Sequence, residues 1–128
     1  MKGDISVAED LAIAVMNLIS VEEHAVFSGM KTGKLEDGVL GTVRELRKRT
    51  MKELIGEPEG EVWCMSKHLL SATMRLIEVG LKNGDAEKFE QASETFSLFW
   101  KLNQGGGKTR KLKSARELLR KVLKCCEE

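Results

Sequence analysis

The chain has 128 residues, of which 41% are hydrophobic and 32% charged, with a formal net charge of +1. A chain of that size hides roughly two thirds of its unfolded surface in one ordinary core, and this composition excludes both a disordered polyelectrolyte and a membrane-embedded chain. The near-neutral balance conceals an asymmetry: residues 101–128 hold nine Lys or Arg against three Glu, a net of +6, which leaves the remainder at −5. A polyanionic partner would be drawn to that C-terminal segment first.

The longest apolar run, Leu11 to Met16 with Leu18 and Ile19 beyond Asn17, is far short of the ~20 residues that a membrane span needs. The N-terminus carries Asp4, Glu9 and Asp10 and has no small-residue cleavage site after an apolar stretch. No secretory leader is expected, and the cytoplasm is the default address. Cys64, Cys125 and Cys126 form an odd set without Cys-x-x-Cys spacing, which predicts reduced thiols.

Glycine punctuates the chain at Gly29/Gly33, Gly56/Gly60, Gly80/Gly84 and Gly105 to Gly107, and four breaks predict five helices. The first opens with Ser6 as N-cap and Glu9 three residues on, a capping box, and runs to about Met30. Its apolar positions Val7, Leu11, Ala14, Leu18, Val21 and Ala25 alternate spacings of four and three, and Val15, Ile19 and Val26 widen the arc, as in a central helix. The second covers about Leu35 to Ile55, with a thin stripe of Val39, Val43, Leu46 and Leu54 opposite Arg44, Arg47, Lys48 and Lys52. Gly38 and Gly41 weaken its first turns.

The third helix, about Glu61 to Lys82, carries one apolar ribbon through Val62, Met65, Leu69 and Leu76 and another through Trp63, Leu70, Met74 and Ile77. Small Ser66 and Thr73 separate them, so this helix should touch neighbours on two sides. The fourth starts near Asp85, a good N-cap, and its face of Phe89, Ala92, Phe96, Phe99 and Trp100 is expected to fill the core. After the linker Asn103 to Gly107, a fifth helix from about Thr109 carries Leu112, Ala115, Leu119, Val122 and Cys126, backed by Lys111, Lys113, Arg116, Arg120, Lys121 and Lys124. No stretch alternates with period two. The expected fold is all-α, an antiparallel bundle with a four-helix core over residues 1–104, and a linker and basic helix over 105–128 within the same single domain.

Few motifs carry chemistry. Gly105-Gly106-Gly107-Lys108-Thr109 resembles the end of a phosphate-binding loop, but Leu102 stands where that motif needs its first glycine, and a helix precedes it instead of a strand. Di-iron bundles use Glu-x-x-His pairs, whereas Val21 and Met65 stand three residues before His24 and His68. Neither a metal nor any other cofactor is expected.

Cys64 and His68 are four residues apart and share a helix face with Ser71, Arg75 and Glu78. That polar stripe is either a solvated face or one wall of a groove. Glu22 falls inside the apolar arc of the first helix beside Leu18 and Ile19, so it needs a cationic partner such as Arg75 or His68, or an edge position near water. Glu22, Cys64, His68 and Arg75 are therefore the candidate polar site, and Lys111, Lys113, Arg116 and Arg120 the candidate phosphate contacts. The basic cluster of the second helix could also contact phosphates, but without interleaved aromatics it is expected to be a solvated face.

The phrase Trp63-Cys64-Met65-Ser66-Lys67-His68-Leu69-Leu70, leading through Arg75 to Gly80 after a long acidic first helix, resembles in layout the small helical-bundle domains called HEPN. Many of these are RNases or nucleotide-binding modules. Their RNase signature places an Arg a turn or two ahead of a His; neither His24 nor His68 has one, so the resemblance implies no catalytic residue.

Three functions are compatible with these residues. The leading one is a non-enzymatic interaction module forming a homo-oligomer, most simply a dimer, because the first and third helices carry more apolar arc than a small monomeric bundle hides. The second is nucleic-acid binding through the basic C-terminal helix. The third is an enzyme built on the polar face of the third helix.

Overall fold

The computed structural model describes residues 4–34 and 37–104. Among them are four α-helices and no strand: α1 (Ile5–Thr32), α2 (Asp37–Ile55), α3 (Val62–Asn83) and α4 (Ala86–Asn103). The linker and fifth helix expected over 105–128, with Lys111, Lys113, Arg116 and Arg120, lie outside the described residues, as does the expected start of the second helix at Leu35.

The helix ends follow from local hydrogen bonding. Asp4, not Ser6, caps α1: its carboxylate accepts the Ser6 N–H at 2.8 Å and the Ser6 hydroxyl at 2.9 Å. A carboxylate there satisfies a free amide and also faces the positive end of the helix dipole. Asp85 caps α4 as expected, accepting the Glu87 N–H at 3.0 Å. In two of the glycine pairs that mark breaks in the sequence, the members differ. Gly33 and Gly84 end α1 and α3 in the left-handed region, whereas Gly29 and Gly80 lie buried inside those helices.

Gly80 shows why. A Cβ on it would stand 2.9 Å from Cε1 of Phe89, so the bare backbone makes room for a ring of α4. Ser66 and Thr73, two and one heptads earlier on α3, face α4 in the same way. The Asn103 amide donates to the Ser66 hydroxyl at 2.9 Å, and the Thr73 and Thr95 hydroxyls bond at 2.7 Å. These three contacts fix an antiparallel α3–α4 hairpin. Ser66 and Thr73, expected to separate two ribbons, instead sit at the centre of this interface with no exposed surface. Small residues are needed there because α4 supplies the bulk: Phe96 packs with its ring centroid 5.6 Å from Phe99 and 6.0 Å from Trp100.

α1 and α2 form the other hairpin. The buried stripe of α1 runs through Ala8, Ala12, Val15, Ile19 and Glu22, with Met16 beside it. It lies one position round from the sequence-read stripe, and Val7 and Val21 are exposed. A wide apolar arc does not by itself mark its own centre; the small side chains of Ala8 and Ala12 do, because they allow the closest approach of a neighbour. On α2 the buried positions are Arg47, Met51 and Leu54, while Val39 and Leu46 face out. α1 also packs on α3, where Arg75 donates to the Ser20 hydroxyl at 3.0 Å.

Candidate functional site

The most unusual chemistry of the described residues lies where the α1 and α2 stripes meet. Glu22 takes a core position on α1 and retains only 8% exposure, and Arg47 takes a core position on α2 with 5%. The two pair in a bidentate fork: Arg47 Nε donates to Glu22 Oε2 at 2.9 Å and its Nη2 to Oε1 at 3.1 Å. Arg44, one turn earlier on α2, adds its Nε to Oε1 at 3.2 Å. Planar guanidinium and carboxylate groups match best in this geometry.

Burial alone would push the Glu22 carboxyl upward. The hydrogen bonds and charge of Arg47, followed by those of Arg44, outweigh that and hold it below its ordinary value. Glu22 is thus a fixed anion, fully engaged by three donors and unsuited to carrying a proton. Its chemical role is to lock α2 against α1.

A cavity of about 260 Å³ opens beside the pair. Ile19, Val26, Phe27 and Leu40 form its apolar wall, and Arg44, Lys67 and Glu23 its polar rim. Oε1 of Glu23 is buried there without a hydrogen-bond partner. Outward from the cavity the hairpin thins. Beyond Glu22 only Gly29 of α1 is buried, and no residue of α2 from Gly38 to Leu46 is. Met30 at 73% and Phe27 at 62% are the most exposed large apolar side chains of the described chain, and Val21, Val26 and Val39 are exposed as well.

Glu22 and Arg75, two of the four residues of the sequence-derived polar site, take different partners. Glu22 is held by Arg44 and Arg47 of α2, while Arg75 is bonded to Ser20 instead. Cys64 is an exposed free thiol, and His68 is exposed. His24, on the polar side of α1, borders a different recess with Val21, Ala25, Ser28 and Val39. The basic cluster of α2 is not one solvated face either: Arg47 is buried, Lys48 lies 3.5 Å from Glu45, and Lys52 pairs with Glu57 at 2.9 Å.

Sequence reasoning missed Arg47 as the partner of Glu22. The signal was present in the spacing Arg47, Met51, Leu54, which continues a four–three core repeat and places the arginine at an interior position. Lys67 and Glu23 carried no such signal. Among the described residues, no three His, Cys, Asp or Glu side chains are placed to hold a metal ion, and no helix is long and apolar enough to cross a membrane. No family model, curated protein or solved structure matches the chain.

Proposed function

We propose that this chain is a non-enzymatic helical interaction module of the cytoplasm that self-associates, as a dimer, through the outer half of the α1–α2 hairpin. The observation that carries the reading is the exposure of Val26, Phe27 and Met30 on one side of α1, on a stretch with almost no buried residue of its own. Contiguous apolar surface of this kind on a small chain marks a contact face. The Glu22–Arg47 lock supports it, because a face that must present itself to a partner needs a fixed register behind it. In this reading the segment 105–128 supplies a basic fifth helix to the four-helix core.

Sedimentation at high micromolar concentration tests the proposal. A dimer is expected for the full chain, with Phe27→Asp and Met30→Asp each shifting it to monomer while leaving the helical circular dichroism intact. A native chain that stays monomeric throughout would overturn the reading.

A second reading is supported by the +6 charge of residues 101–128. It makes the same segment a nucleic-acid contact, with binding that weakens as salt rises and as Lys111, Arg116 and Arg120 are neutralised. Undetectable RNA and DNA binding at low salt would remove it.

A further inference from the structure

The basic cluster of α2 has no aromatic neighbour in sequence, but the fold gives it one. Gly56 and Gly60, both with positive φ (72° and 65°), turn the connector so that the first turn of α3 comes back beside the last turns of α2. Lys48, Arg49 and Lys52 of α2, Glu57 and Pro58 of the connector, and Trp63 of α3 then line one cavity of about 460 Å³. The two tryptophans of the chain have different surroundings. Trp100 is 5% exposed in the core, and Trp63 is half-buried at the wall of this recess.

An aromatic face beside three cations and one carboxylate is the equipment for a planar base carrying a phosphate. Stacking on an aromatic ring accepts any base, and cationic side chains in reach hold the phosphate. Arg49 makes no ion pair within the described residues. Lys48 and Lys52 have partners, but their side chains are 51% and 65% exposed, and exposed pairs are held weakly enough to be exchanged for a phosphate. Once Lys52 turns to a phosphate, the Glu57 carboxylate is released to accept a ribose hydroxyl.

We propose that this recess is a nucleotide-binding site in which the base stacks on Trp63 and the phosphate is held by Arg49, Lys48 and Lys52. The Glu57 carboxylate in its lining, with Glu53, Glu59 and Glu61 close by in sequence, disfavours a long polyanion more than one compact anion. The chemistry is therefore that of a free mononucleotide more than of a stretch of single strand. The site shares no lining residue with the recesses beside Phe27 and Met30, so it stands or falls independently of self-association.

Adenosine 5′-monophosphate is the probe, titrated into the full chain at low salt while tryptophan emission is followed. Saturable quenching is expected, with at least tenfold weaker effect from adenosine, which lacks the phosphate, and none from inorganic phosphate, which lacks the base. In equilibrium dialysis Arg49→Ala should weaken binding about tenfold, Trp63→Leu should abolish it, and Trp63→Phe should keep most of it. Arg49 is exposed, so its variant keeps the test valid even where a Trp63 variant fails to fold. A short single-stranded oligoadenylate is the second arm; tighter binding of the strand than of the mononucleotide would overturn the assignment to a free nucleotide. Absence of saturable quenching by either probe, or quenching unchanged in Arg49→Ala, would overturn the site.

Discussion

Between α3 and α4 the polar groups that enter the interface are small and neutral, namely Ser66, Thr73, Thr95 and Asn103, whereas between α1 and α2 they are the charged pair Glu22 and Arg47. The neutral seam is spread over the length of the hairpin and sits beside Phe96, Phe99 and Trp100, so its hydrogen bonds only supplement a large apolar contact. The ionic pair stands near the end of its buried stripe. A buried pair adds little net stability over apolar residues of the same volume, but losing one partner strands a charge. The α3–α4 hairpin is held by bulk, and in the α1–α2 hairpin the apolar contact is joined by a requirement that two particular residues meet.

Substitutions can break or sharpen this contrast. Phe96→Ala removes a fully buried ring from the bulky side and should cost about 4 kcal/mol in urea unfolding; a loss below about 1 kcal/mol would mean that α4 is not the core it is described as. Glu22→Ala should cost about 3 kcal/mol by leaving Arg47 buried and unpaired. The double variant Glu22→Leu/Arg47→Met should recover most of that loss. If it remains as unstable as the single variant, the pair does more than hold register.

Acid sharpens the same point. The Glu22 carboxyl is depressed in the folded state, so its contribution is fully present above the unfolded carboxyl value and is lost as pH falls through the lower folded value. Stability measured from neutral pH downward should therefore fall, and Glu22→Gln should flatten that acid limb relative to wild type. An unchanged slope would remove the ionic account. The smallest effect is expected at Gly80→Ala. Crowding of Phe89 opposes the gain in helix propensity, for a net loss of about 1 kcal/mol. Pairing it with Phe89→Leu should reverse the sign.

Much of this contrast was legible in the residues. The aromatic face of α4, the Asp85 cap and the break at Gly84 follow from spacing and local chemistry, and each is where the sequence puts it. The anomaly of Glu22 inside an apolar arc was also visible. Its partner was not, because arginines at 44, 47, 48 and 52 look alike until the packing of α2 turns one of them inward. Small residues misled in a similar way. Ser66, Thr73, Gly29 and Gly80 read as spacers and breaks, since a sequence shows what a small side chain lacks and not what a neighbour puts into the space. The recess at Trp63 depends on how a glycine-turned connector folds back, which no periodicity records.

Only Gly84 and Asp85 separate α3 from α4, and this brevity bears on the order in which the chain assembles. Little chain entropy is lost when so short a joint closes, so the α3–α4 contacts are local ones that form early. Changes along that seam are expected to slow folding, and changes at Glu22 and Arg47 to act chiefly by hastening unfolding, a division that the two arms of a chevron plot would display.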